Sequence, residues 1–200
     1  MFSKRDGRAD AATHADPADP VKALLTLCRF IDAVNERVGR AVYWLVLVAV
    51  LVSAGAALSR YAFSVSSNAW LELQWYLFSL IFLLAAGYTL KHDAHVRIDV
   101  IFGRLSRRTQ AAIDVFGGLA MLLPMTLLVT WLSWHTFQLS FAVSEMSPDA
   151  GGLPRWPIKL AIPVGFALLA LQGVSETVKR VAFLAGRAPA PEADGKPGPE

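Results

Sequence analysis

The sequence predicts an all-α integral membrane protein: four transmembrane helices with both termini in the cytoplasm, preceded by an interfacial amphipathic helix. Three observations carry this reading. Of the 200 residues 54% are hydrophobic and only 18% charged, and mean hydropathy is +0.43, too apolar a mixture for an ordinary soluble domain. Four stretches approach the roughly 20 apolar residues that cross a hydrocarbon core about 30 Å thick. Lys and Arg, finally, fall very unevenly among the connections between those stretches.

Residues 1–20, rich in Ala, Pro and Asp, have little to bury and are expected to be a disordered tail. In VKALLTLCRFIDAVNERVGR, residues 21–40, Val21, Leu24, Cys28, Ile31 and Val38 recur at helical spacing with Arg29, Asp32, Glu36 and Arg40 between them. This is an amphipathic helix, lying either in the membrane interface or against its own bundle. The four-helix membrane domain then occupies residues 41–185, with spans at about 41–60, 70–90, 111–135 and 158–180. Small residues in SAGAAL, 53–58, fit signal-peptidase cleavage, but a forty-residue leader and a full-length apolar run favour an uncleaved anchor. Residues 186–200, GRAPAPEADGKPGPE, again offer nothing to bury and are expected to be disordered.

Basic residues in short loops stay in the cytoplasm. The N-terminal segment, the second connection and the C-terminal segment together hold sixteen, against three in the first and third connections. That places both termini inside. Trp70, Trp75, Trp131, Trp134 and Trp156 fall near the expected outer ends of helices, and Trp44 at the inner end of the first, as expected of interfacial anchors.

The chain shows little sign of chemistry. The centres of the spans, Val50, Phe82, Pro124 and Phe166, have only apolar neighbours, so no charged group is expected at mid-depth, where transport sites lie. Pro124 and Pro163 are candidate kinks, and Gly117-Gly118 permits close packing. His92 and His95 share a helical face, but a zinc site needs three or four ligands with supporting contacts. His135 touches a span at its outer end without a second axial ligand, which argues against haem. Ser140, Ser144 and Ser147 near His135, Glu145 and Asp149 lack a nucleophile elbow. The lone Cys28 cannot form an internal disulfide, and the basic residues form no nucleic-acid patch. The sequence therefore reads as neither an enzyme nor a cofactor protein. Arg60 and Glu72 flank the first outer loop and either pair with each other or reach a partner. Asp114, near the start of the third span, fits acidic stabilisation of a helix N-terminus.

Arg60-Tyr61 after the first span, Glu72 opening the second, LKHDAHVRIDV immediately after it, SRRTQAAID before the third and LPRWPIKLAIPVGFALLALQG at the fourth form a recognisable set. With the four-span, N-in/C-in pattern, the chain resembles the small membrane subunit of the tripartite ATP-independent periplasmic (TRAP) transporters, the DctQ-like family, from about residue 40 to 184. Asp93 departs from a position where such proteins often carry Gly or a basic residue. The resemblance implies a multi-pass protein of the bacterial inner membrane. It further implies two protein partners: a large permease subunit that moves substrate with sodium, and a periplasmic solute-binding protein that delivers an organic acid. On this reading LKHDAHVRIDVIFGRL, residues 90–105, is the cytoplasmic elbow between helices two and three. His95, Arg97 and Asp99 would hydrogen-bond within it or to the large subunit, Asp99 pairing with Arg97 or a basic residue of the partner. The other reading is a self-contained four-helix membrane protein, a small channel or a membrane enzyme, working as a homo-oligomer. A permease encoded beside this chain would separate the two.

Overall fold

The structure, a computed structural model, describes residues 20–64, 66–92 and 105–188. Four long helices make up nearly all of it: α1 Pro20–Phe63, α2 Asn68–Lys91, α3 Arg107–Ala142 and α4 Trp156–Leu184. Each is long and apolar enough to cross a membrane. His95, Arg97 and Asp99, and most of both expected tails, lie outside the described residues.

Residues 21–40 do not form a helix of their own. They run without a break into the first span, so α1 is a single helix of 44 residues, about 66 Å long at 1.5 Å per residue. Two sequence features explain the continuity. No proline interrupts the junction, and Gly39, the one weak helix former near it, is backed by the Tyr88 ring: a Cβ there would sit 2.3 Å from that ring. A helix this long exceeds the hydrocarbon core by about 36 Å. Its N-terminal part runs on past Glu36, where α2 ends against it, and Cys28 and Ile31 there are buried.

α4 is the central element. It packs against α1, α2 and α3, whereas α3 packs chiefly on α4, and α1 and α2 form an antiparallel hairpin on the other side. Two ends result. The loop end carries the α1–α2 and α3–α4 connections; the terminal end gathers the start of α1, the end of α2, the start of α3 and the end of α4.

Without a hydrophobic force to drive helices together in lipid, close approach of backbones matters more. At Gly165 of α4 an added Cβ would lie 2.8 Å from the Leu83 carbonyl oxygen of α2, and at Gly173 it would lie 2.7 Å from the Leu122 side chain of α3. Pro163 is accommodated inside α4. α3 is not uniform: Arg107–Gly117 and Leu123–Ala142 are α-helical, and Gly118–Leu122 between them is a π-helical turn. Pro124 accounts for it, because proline lacks an N–H and its ring crowds the carbonyl four residues back, and a π turn relieves both. Thr126, almost fully buried, donates its hydroxyl to the Leu122 and Leu123 carbonyls at 2.8 and 3.1 Å.

Replacing Gly165 by valine forces a side chain onto backbone and should lower stability by about 1–3 kcal/mol. Gly55, with nothing within 4 Å of an added Cβ, should tolerate alanine without loss. Thermal denaturation in mild detergent, followed by gel filtration of the surviving fraction, distinguishes the two; equal melting of both variants would contradict this packing.

Candidate functional site

The polar residues of the described chain collect at the two ends of the helices, and each collection ties α4 to its neighbours. At the loop end the centre is Glu72, one turn into α2 and only 2% exposed. Its carboxylate accepts a hydrogen bond from the Ser147 hydroxyl and another from the Leu153 backbone N–H at 2.6 Å. Arg155 lies 3.8 Å from the same carboxylate and 5.7 Å over the Trp75 ring, a cation–π placement. The connection that delivers these partners is a tight one. α3 ends with Ser144 at φ 47°, its Glu145 N–H reaching back to the Ser140 carbonyl at 3.0 Å, a Schellman-type termination. The chain then turns through Gly151, φ 73°, and pairs Met146 with Pro154. Asn68 and Tyr76 of α2 donate to the Ala150 and Pro154 carbonyls at 3.1 and 3.2 Å.

Beside this, Glu145 pairs with Lys159 of α4. Hydrogen bonding to the Lys159 ammonium holds the Glu145 carboxyl below the ordinary carboxylate range.

At the terminal end, Gln172 and Ser175 of α4 are completely buried and Asn35 of α1 nearly so. Asn35 donates to Gln172 Oε1 at 2.9 Å. Gln172 Nε2 donates to Asp32 at 2.9 Å and to Glu176 at 3.0 Å. Ser175 donates to Asp32 at 2.9 Å, and Lys179 bridges Asp32 at 3.0 Å and Glu176 at 2.5 Å. Arg180 carries the chain of charges onward, 3.3 Å from Glu176 and 2.9 Å from Asp114 of α3. One continuous network thus joins α1, α4 and α3. Gly87 of α2 abuts it: a Cβ there would lie 2.1 Å from Asn35 Oδ1.

A second group sits where α2 ends. Glu36 of α1 receives Lys91 at 2.7 Å, His92 at 3.1 Å and Arg40 at 3.2 Å. The Tyr43 and Tyr88 hydroxyls meet at 3.3 Å just above it.

The residues singled out from the sequence fall as follows. Glu72 does not pair with Arg60: the α3–α4 connection folds over the start of α2 and supplies Arg155, Ser147 and a backbone N–H instead, and Arg60 is left exposed. Asp114 lies two turns into α3, too far from its N-terminus to stabilise it, and pairs with Arg180. His92 serves Glu36, and His135 is exposed on α3. Trp44, Trp70, Trp75, Trp131 and Trp134 are all substantially exposed, and Trp156 packs edge-on against Phe141 at 5.5 Å.

Asn35, Gln172, Ser175 and Arg180 were not among the sequence candidates. A search for charged groups at span centres passes over Gln172, which carries no charge and sits off the expected midpoint, Phe166. A signal existed nevertheless: Gln172, Glu176, Lys179 and Arg180 share one side of a helical wheel, as do Asp32 and Asn35.

Most of these contacts join one helix of the chain to another or to the α3–α4 connection, and the rest brace the groups that do so. They define a multi-pass membrane protein whose polar groups are used to fasten helices together. The model of one family, described as the DctQ component of tripartite ATP-independent periplasmic transporters, matches residues 49–183. The chain belongs to this family and is a TRAP transporter small membrane subunit. No curated protein matches it.

Replacing Gln172 by alanine removes one partner each from Asn35, Asp32 and Glu176. Stability should fall by about 1–3 kcal/mol for each buried group left unsatisfied, read as a lower denaturation midpoint. For Glu145 the sign follows from its lowered pKa: the stability it contributes is full above the unfolded-state value and is lost as pH falls through the folded-state value. Glu145→Gln should therefore melt below wild type near neutral pH and converge with it in acid. A gap that widened on acidification would refute the Glu145–Lys159 pairing.

Proposed function

We propose that this subunit is a non-catalytic scaffold: it holds a large permease subunit in place in the bacterial inner membrane during uptake of an organic acid. Delivery would be by a periplasmic solute-binding protein, and the driving force an ion gradient, with sodium as the coupling ion. The observation that carries the scaffold reading is the commitment of the buried and half-buried polar groups. Asp32, Gln172, Ser175, Glu176, Lys179 and Arg180 are all engaged with one another or with Asp114. A transport site must exchange its partners for substrate and ions, and intramembrane polar groups in transporters line such pathways. Here the same residue types are spent on fastening α1 and α3 to α4, which suits a rigid element beside a moving one.

Sixteen basic residues on one side against three on the other support an orientation with both termini in the cytoplasm. The terminal end, with its network and Glu36 group, then faces the cytoplasm, and Glu72 with the α3–α4 connection faces the periplasm. His95, Arg97 and Asp99 would lie in the cytoplasmic elbow, available to the permease. Exposed Arg60 and the loop-end tryptophans would lie at the periplasmic interface.

The test is affinity purification of the chain, tagged at its C-terminus, from native membranes in mild detergent, with mass spectrometry of what accompanies it. One large hydrophobic permease in stoichiometric amount is expected, with no transport by the small chain reconstituted alone. Recovery of a self-associated chain that conducts or catalyses without a partner would overturn the proposal.

A further inference from the structure

Arg29, Asp32, Ala33, Glu36, Arg37 and Arg40 of α1, with Lys91 of α2, line an open groove of about 460 Å³ at the terminal end. Spacings of three and four residues put the α1 members on one face of that helix. The two carboxylates in the groove are already committed. Asp32 is held by Lys179, Gln172 and Ser175, and Glu36 by Lys91, His92 and Arg40. Among the described residues neither Arg29 nor Arg37 joins an ion pair; Arg29 has a hydrogen bond to the Thr26 hydroxyl at 3.3 Å, and both are exposed. Among the described residues, the groove therefore presents two guanidiniums whose charge no carboxylate answers, beside two further cations that share one carboxylate.

Its depth is set by its neighbours. Lys91 marks the end of α2. On α1, Arg37, Ala41, Trp44, Val48 and Leu51 form one stripe along the helix, at alternating spacings of four and three residues. Trp44 is 71% exposed and lies about 10 Å along the axis from Arg37, and Val48 and Leu51 beyond it are exposed apolar side chains. Exposed Trp and Tyr of this kind mark the level of lipid headgroups. Arg37 thus sits nearest phosphate depth, with Arg29 about 12 Å farther out along the helix axis, and an apolar track leads from Arg37 toward the membrane interior. A soluble anion makes no use of such a track; an amphipathic one does.

We infer that this groove binds an anionic phospholipid, its phosphate held by Arg37 with the outer end of its headgroup toward Arg29, and an acyl chain along Trp44, Val48 and Leu51. Arg supplies the planar donor fork that phosphate oxygens accept. The inference rests on the chain's membrane placement and goes beyond the scaffold role.

The test is native mass spectrometry of the full chain, delipidated in mild detergent and titrated with phosphatidylglycerol or phosphatidylcholine. It reads lipid adducts on this chain whether or not a permease is attached, so it can fail while the scaffold reading stands, and the reverse. Wild type should retain phosphatidylglycerol preferentially. At about fivefold per basic side chain near an anionic group, Arg29→Gln/Arg37→Gln should weaken that retention by at least about tenfold. Arg29→Lys/Arg37→Lys, which keeps the charge, should recover much of it, and Arg107→Gln/Arg108→Gln, altering two exposed arginines at the start of α3, should leave it unchanged. Equal retention of the two lipids, undiminished preference in the Gln pair, or equal losses in the Gln pair and the α3 pair would each overturn the inference. So would displacement of the lipid by an equal concentration of inorganic phosphate, which would assign the groove to a soluble anion.

Discussion

The structure depends on the polar seam that runs along the second half of α4. Asp32, Lys179, Glu176, Arg180 and Asp114 alternate in sign through contacts of 2.5–3.3 Å, and Gln172, Ser175 and Asn35 fill the spaces between them with neutral hydrogen bonds. Burying such groups is costly unless each has a partner. Once all are present, however, the seam permits few alternative arrangements, because sliding α4 by one turn against α1 or α3 would leave several charges unanswered at once. Van der Waals packing between apolar helices supplies no comparable penalty. The seam therefore sets the register of three helices.

The remaining features are consistent with that register. α2, which contributes no charge to the seam, is fixed at its two ends instead. Glu72 is held under the α3–α4 connection at one end, and Lys91 and His92 meet Glu36 at the other. Between these ends it relies on close approach, at Gly165 and at its own Gly87. The π turn in α3 falls beside the seam as well. Gly118 approaches Thr177, and Leu122 covers Gly173, the residue after Gln172. A straight α-helix carrying Pro124 would lose a backbone bond at this level, and the local rewinding keeps α3 against α4 despite the proline.

This organisation bears on what a small subunit beside a moving permease must do. Helices joined only by apolar contact can tilt and slide at modest cost. Helices joined by a buried network of paired charges resist both, since any displacement exposes unpaired groups to a low dielectric. The long exposed apolar surfaces of α1 and α3 are left for lipid or protein, while the charges of the seam are paired with one another. Rigidity within the chain and an apolar exterior are the two properties that a membrane scaffold needs.

The sequence by itself determined the fold class, the four spans, the charge asymmetry and the family resemblance. These depend on hydrophobic length, on composition and on local motifs, all of which are one-dimensional quantities. It also singled out Glu72 and Asp114 as unusual. Only the tertiary structure decided what those two residues touch, because their partners, Arg155 with Ser147 and Arg180, lie more than sixty residues away in the chain. Likewise the amphipathic pattern of residues 21–40 fits equally a helix on lipid and a helix on protein. What the pattern did not show is that Asn35 and Asp32 meet Gln172, Ser175 and Lys179. Periodicity reports that one face of a helix differs from the other; only the packed structure supplies what that face is turned toward.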